Sequence, residues 1–565
     1  MLLFPIGISQ PATSLVIQQW EEAGTSLATA LSKYFHLSLT LGANISREDP
    51  SDLAARIDFA LHTLHVTLDQ QVSQARSALA STRNRILSSI NRLPNEILSE
   101  IFGYVIHQPI DPLEPVPMKQ SLLTLYRSIR DLLSVCSVWK KVVLARSSLW
   151  SMIPLVSSES LAYRGFGHLD PTELCIGRAQ GRDLHLAAII SDMCESDELP
   201  SFIEHSHRFR SINIVSESPY PISPILHNFR NLGSSGKLSE LSIHCEHEDS
   251  RLNMVPRAHH YMFPPGCSDR SFRKLLKRIS VLRLSGSPLN WNGISFSKRL
   301  VKLELQDLTL GYDSELSKLM TALSSATRLK HLKIISVKTF REHGALVPIE
   351  EIPKFSLPNL KTFLLRDLYF NTLYHLLSSI ASCSHRLFLH LTRKTCEVVR
   401  HGIIEPQDSF IHDAIELFHE AATDTLLLEG EENNSWLVDY ELFEILYTMP
   451  NIVTLQMHDW DYDADFCKAM RYTKLTAGFE NMYFSKARIR DEVAFKKMVA
   501  SYSGSLERMK LGAVIGDGSE FIDEHYPVKK DQDLAIWLEE NVPDFELLDE
   551  YYSPVDFLSP EWQLW

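Results

Sequence analysis

One short phrase recurs along this chain and limits what it can fold into: an apolar residue, two of any kind, an apolar residue, one of any kind, an apolar residue. It reads Phe209-x-x-Ile212-x-Ile214, Leu238-x-x-Leu241-x-Ile243, Ile279-x-x-Leu282-x-Leu284, Leu300-x-x-Leu303-x-Leu305 and Leu329-x-x-Leu332-x-Ile334. It continues as Leu360-x-x-Phe363-x-Leu365, Ile452-x-x-Leu455-x-Met457, Phe479-x-x-Met482-x-Phe484 and Leu506-x-x-Met509-x-Leu511. Partial copies stand at Leu184-x-Leu186, Leu387-x-Leu389 and Leu426-x-Leu428. The alternation closing each phrase is that of a strand with one buried face. Between phrases the apolar spacing turns helical, as in Leu316, Leu319, Met320 and Leu323, then Leu373, Leu376, Leu377 and Ile380. Ile411, Ile415 and Phe418 form another such set, and Phe495, Met498 and Val499 a late one. Strand then helix, repeated, predicts a right-handed α/β solenoid over residues 170–518. An ordinary α/β domain is the competing expectation.

The phrases follow one another at about 20 to 40 residues, several at about 28, which resembles leucine-rich repeats. That family's asparagine ladder is not evident. With Leu303 and Leu305 turned to the core, strand geometry sends Lys302 and Glu304 to the opposite, concave face. The same reading exposes Glu240 and Ser242, His331 and Lys333, Thr362 and Leu364, Thr454 and Gln456, and Arg508 and Lys510. A curved row of such positions is an extended docking surface for a protein target.

A second pattern lies ahead of the repeats. Ile90 to Ile153 opens with Leu93-Pro94 and then Ile97, Leu98, Ile101, Phe102 and Val105 at helical spacing. Pro94 suits the start of a helix, where its missing N–H costs nothing. Pro109, Pro112, Pro115 and Pro117 make the stretch from His107 a loop. A second amphipathic segment leads to Val135, Cys136 and Trp139, and Leu149-Trp150 closes the unit. So small a module carries more apolar surface than it can bury alone.

This segment, residues 91–155, resembles the F-box, whose pattern is Leu-Pro, two residues, Ile-Leu, two residues, Ile-Phe, then Val-Cys, two residues, Trp, then Leu-Trp. Leu93, Pro94, Ile97, Leu98, Ile101, Phe102, Val135, Cys136, Trp139, Leu149 and Trp150 stand at those positions. The proline-rich insert between the halves is longer than in the shortest F-boxes. The layout also resembles fungal F-box-like proteins: a helix, the Leu-Pro motif, then a long leucine-rich region. The resemblance implies docking of these residues to a Skp-family adaptor within a Skp–cullin–F-box ubiquitin ligase. The chain would be a non-catalytic receptor subunit holding an unidentified protein substrate. A scaffold that is no part of a ligase is the alternative.

Residues 51–90 predict a long amphipathic helix, with Leu53, Ile57, Leu61, Leu64, Leu68, Val72, Ala75, Leu79, Ile86 and Ile90 at three- and four-residue steps. Its near-heptad stripe suits a coiled coil and self-association. Residues 1–50 read as irregular. Residues 519–565, acidic and rich in aromatics, read as a cap for the last repeat or a partner-binding tail. The fold class expected is thus α+β multidomain: a long N-terminal helix, a small all-α module, then an α/β solenoid.

The 565 residues allow two to four domains. A net charge of −14 disfavours nonspecific binding to nucleic acid or to anionic membranes. No apolar run reaches about 18 residues, and the N-terminus lacks a basic segment before its apolar one. A cytoplasmic or nuclear protein is expected. Eight cysteines without a Cys-x-x-Cys pair predict free thiols. His244, Cys245 and His247, with His259, His260 and Cys267, fit no standard zinc spacing. Asp459, Asp461, Asp463 and Asp465 lack the glycine and final Glu of a calcium loop and read as a solvated acidic turn. No nucleophile or phosphate-loop motif is present, so neither cofactor nor metal is expected.

Overall fold

The computed structural model describes residues 15–41, 50–87, 89–107, 115–156, 171–191, 202–229, 236–246, 256, 261–263, 269–286, 289–342, 346–381, 385–400, 402–407, 409–431, 436–473, 478–516, 525–557 and 562–564. The chain divides into two compact units, Met1–Pro94 and Asn95–Trp565.

In the first unit the expectation of an irregular start is corrected. Leu15–Leu41 is one helix of 27 residues. Its serines and threonines hide the helical pattern in the sequence, but in the helix they bond back to the preceding turn. Thr25 and Thr29 Oγ1 and Ser38 Oγ each donate to the carbonyl four residues earlier at 2.8 Å. The second helical stretch runs Pro50–Phe59, Ala60–His65 and Val66–Leu87, the middle piece being a π-turn. Tyr34 Oη lies 3.3 Å from His65 Nε2, which ties the two stretches together. Ile57, Leu61, Leu64, Val72 and Leu79 of the expected stripe are exposed.

The second unit begins with helices Asn95–Ile106, Met118–Val135 and Ser137–Ala145 and a 3-10 turn at Ser147–Trp150. The first buries Leu98, Phe102 and Ile106, one per turn. The second buries Met118, Leu122, Leu125, Tyr126, Ile129 and Leu132. Trp150 plugs the far side, its Nε1 donating to the Val143 carbonyl at 3.0 Å. Arg146 ties the third helix to the first through Glu100 at 2.8 Å and through Ser99.

The rest is mixed helix and strand built on one large, almost wholly parallel sheet of 16 strands. It starts at Met152–Val156, inside the stretch assigned to the helical module. Strands Leu184–Ile190, Phe209–Ser216, Glu240–Cys245, Val281–Ser285, Lys302–Gln306, His331–Ile335, Thr362–Arg366, Arg386–Leu391, Thr423–Glu429, Thr454–His458, Asn481–Ile489 and Arg508–Gly516 follow in chain order. Helices in the connections include Asp313–Ser324, Phe370–Ser379, Phe410–Glu420, Asp439–Thr448, Ala464–Thr473 and Glu492–Ser501. In Phe410–Glu420 the buried stripe is Phe410, Ala414, Leu417 and Phe418, rotated from the one expected through Ile411 and Ile415.

Register explains the recurring phrase. Leu241, Leu282, Leu303, Leu332, Phe363 and Leu387 are paired in one row, and Ile243, Leu284, Leu305, Ile334, Leu365 and Leu389 in the next. All are buried. The phrases do not stay aligned throughout. A bulge between Leu387 and Phe388 pairs Leu389 with Leu426, so the later phrases sit one rung along from the earlier ones.

Six of the nine full phrases also end in a common backbone device. Gly286, Asp307, Ser336, Asp367, Asp459 and Lys486, each two residues past the final core position, have positive φ. At all but Lys486, which lies at a bulge within Asn481–Ile489, the chain leaves the strand there in the left-handed region, which Gly and Asp tolerate better than most residues. The freed amide then donates to the next rung, as from Asp307 to Ile335 at 3.0 Å and from Ser336 to Arg366 at 2.9 Å.

The C-terminal segment expected as a cap extends this sheet. Asp544–Leu547 pairs parallel with Arg508–Leu511, and His525–Pro527 pairs antiparallel with Val514–Gly516.

Candidate docking surfaces

Asn95–Ile106 is apolar on two sides. Leu98, Phe102 and Ile106 are sealed in the core, while Ile97, Tyr104 and Val105 are 47%, 75% and 41% exposed and Ile101 is half-buried between them. Positions 97, 101, 104 and 105 share one helical face. Glu96, Ser99 and Glu100 take the remaining arc, and an apolar face of a helix is ordinarily covered. The eleven motif residues therefore separate. Leu98, Phe102, Leu149 and Trp150 are buried and present no surface. Ile101, Cys136 and Trp139 are half-buried, and Trp139 stands 4.8 Å from Phe102, ring centre to ring centre. Leu93, Pro94, Ile97 and Val135 are exposed.

The second surface is the sheet face turned away from the rows of leucines. Pairing places Asn213, Ser242, Arg283, Glu304, Lys333 and Leu364 in one row across it. Val215, His244, Ser285, Gln306, Ile335, Arg366 and His390 form the next. Lys302, Glu304, His331, Lys333, Thr362 and Leu364 thus lie together, and Thr454, Gln456, Arg508 and Lys510 lie further along the same face. The expectation that such positions are exposed is corrected in part. Ser242, Glu304 and Gln456 are buried, Glu240 and most others are half-buried, and Arg508 is exposed. Strands about 4.8 Å apart set these side chains shoulder to shoulder, so each covers its neighbours.

The face is charged as well as close-packed. Arg283 lies 3.7 Å from Glu240 and donates to Ser242 Oγ at 3.1 Å, and Lys302 Nζ is 3.2 Å from Glu304. Burial lowers the pKa of both Arg283 and Lys302 despite these carboxylates. It also lowers the imidazoles of His390 and His458 and brings His244 down to about 4.

The position just after each phrase was missed in the sequence, although strand alternation puts it on this same outward face. His244, Arg366 and His458 all stand at or beside it. Also missed was what these residues hold. Trp562 stacks on His244, with ring centres 5.3 Å apart, and Phe557 stacks on His458 at 5.0 Å with its edge to His390. The aromatic character of the C-terminus was plain in the sequence, but its seat was not.

The acidic turn is also corrected. Asp459 and Asp461 are both paired with Arg488, and Asp461 is 2.6 Å from Arg490. Asp463 accepts from the Phe466 amide at 2.8 Å, capping Ala464–Thr473. Cys245 and His244 project to opposite faces of one strand, and His247, His259, His260 and Cys267 lie outside the described residues. Among the described residues no group of His, Cys, Asp or Glu is placed to hold a metal. Cys136, Cys175, Cys245, Cys396 and Cys467 are free thiols, and burial pushes those of Cys396 and Cys467 up to about 12. Among the described residues no helix is long and apolar enough to cross a membrane. No protein-family model matches the chain, and no curated protein matches it.

Proposed function

We propose that this chain is the target-holding subunit of a Skp–cullin–F-box ubiquitin ligase. Residues 91–155 are the F-box, and the parallel sheet with its connecting helices is a leucine-rich-repeat-like solenoid. The uncovered face of Ile97, Ile101, Tyr104 and Val105 carries this reading, because it lies on a helix whose other stripe is already buried. Leu93, Pro94 and Val135, also exposed, add to the adaptor-binding set. Leu98, Phe102, Leu149 and Trp150 then act as its frame. The sheet face holds a protein target near a ubiquitin-charged enzyme bound elsewhere in the complex. Proximity alone speeds such a transfer, so the chain supplies no nucleophile and needs no cofactor. The cytoplasm or nucleus is where such a complex would work.

A pull-down with a Skp-family adaptor and cullin tests the assignment. Ile97→Glu, and separately Leu93→Ala with Pro94→Ala, should each weaken capture by about 2 kcal/mol or more, the size of an interface hot spot. Full capture by both variants sinks it. Co-purification of a target without adaptor or cullin supports the scaffold reading instead. The exposed stripe of Ile57, Leu61, Leu64, Val72 and Leu79 suits a second copy of the chain. Light scattering checks this: the wild type should be dimeric and a Leu61→Glu, Leu64→Glu variant monomeric.

A further inference from the structure

The outward sheet face is already occupied by the chain's own C-terminus. Asn213, 3% exposed, is used at both ends. Its Nδ2 donates to the Gln563 carbonyl at 2.9 Å, and its Oδ1 accepts from Trp562 Nε1 at 2.8 Å. The Trp562 carbonyl accepts from the Met118 amide at 2.9 Å. Along the same face the charge of Asp556 bears on Arg366, and Phe557 sits against His390 and His458. Phe557 and Trp562 are only 6% and 7% exposed.

These anchors differ in kind from those of Asp544–Leu547, which pairs backbone to backbone with the edge strand. Asp556, Phe557, Trp562 and Gln563 instead meet side chains of the sheet, those of Arg366, His390, His458, His244 and Asn213. Withdrawing them would leave the parallel ladder whole and uncover polar groups that water can satisfy. Among the described residues a cavity of about 400 Å³ lies beside Trp562, lined by Met118, Ile189, Val215, His244 and Gln306 among others.

We infer that this face is a peptide groove whose ligand is a protein segment bearing an acidic residue next to an aromatic, with a second aromatic at the spacing of Phe557 and Trp562. The C-terminal segment holds the groove in cis until such a ligand displaces it. The inference rests on the reading of this face as the target-binding surface.

A labelled synthetic peptide of residues 549–565, titrated with full-length protein and followed by fluorescence anisotropy, tests it. A tethered tail competes at an effective concentration on the order of millimolar, so opening the groove should tighten peptide binding at least about tenfold. The full-length Phe557→Ala, Trp562→Ala variant should therefore bind the peptide at least that much better than wild type. Binding should vanish when the peptide carries the same two alanines, or when Asn213→Ala and Arg366→Glu are added to the protein. Equal affinity of wild type and variant overturns the inference. So does absence of binding to either while adaptor capture is intact, and that result leaves the adaptor assignment standing. Should the variant not melt cooperatively, amide exchange of the wild type decides. The Met118 amide should exchange well before those of Leu303 and Leu332, and equal protection would mark the tail as a permanent seal.

Discussion

Neighbouring residues in this chain have opposite duties. Leu98 is wholly buried and Ile97 is about half exposed, one position apart on one helix. Leu98→Ala should cost about 2 to 5 kcal/mol in denaturant unfolding, the range for deleting a buried leucine. Ile97→Ala should stay within about 0.5 kcal/mol, as surface changes do. A second contrast sits at the turns. Gly286 has φ +82° and an added Cβ would meet the Cys245 carbonyl oxygen at 1.8 Å, whereas Asp307 holds the equivalent turn with a side chain. Gly286→Ala should cost more than about 1 kcal/mol, the penalty of the left-handed region plus the clash, and Asp307→Gly should cost little. Equal effects in urea unfolding would contradict the turn argument.

His244 gives a pH dependence with a definite sign. Burial takes its pKa from 6.5 down to about 4. Between those values the unfolded chain binds a proton that the folded chain refuses. Stability from the neutral imidazole is whole above about pH 6.5, falls as pH drops through that window, and is lost near the lower value. Glu246 and Asp307 face the same cavity with carboxyls that burial raises, and Glu217 and Lys119 also line it, so the slope belongs to His244 only by difference. His244→Gln should therefore lose less stability than wild type between about pH 7 and about pH 5. Matching losses would remove His244 from the account.

Among the elements, helix Asn95–Ile106 and the paired strands were the most legible in sequence. A residue period near four or of two survives in the chain whenever one face of an element meets a core. The helix Leu15–Leu41 was not legible, because none of it is buried and no packed face imposes a period. The π-turn at Ala60–His65 was equally hidden, since it shifts phase without changing composition. The slip at Leu387–Phe388 was hidden for another reason. Each phrase looks the same whichever rung it joins, and only the pairing of Leu389 with Leu426 reveals the offset.

At the scale of the whole molecule, an ordered stack leaves its last strand with an unpaired edge. Here Asp544–Leu547 and His525–Pro527 cover Arg508–Gly516. Deleting residues 525–565 would bare that edge beside Met509 and Leu511. A bare apolar edge recruits other chains, so the truncated protein should be lost to aggregates in size-exclusion chromatography, and a monomeric truncated protein would show the cover to be dispensable.

Read alone, the sequence determined the alternation of strands and helices, the leucine positions that fill the core and the two-part motif around Trp139. These are local periods, written wherever burial is repeated. The tertiary structure alone decided which motif residues are frame and which are surface, since Leu98 and Ile97 are equally apolar and only packing separates them. It alone decided that the outward face is half-covered, because strand spacing crowds side chains that are distant in sequence. And it alone brought Trp562 to Asn213, a contact across 349 residues of sequence that no period or motif encodes.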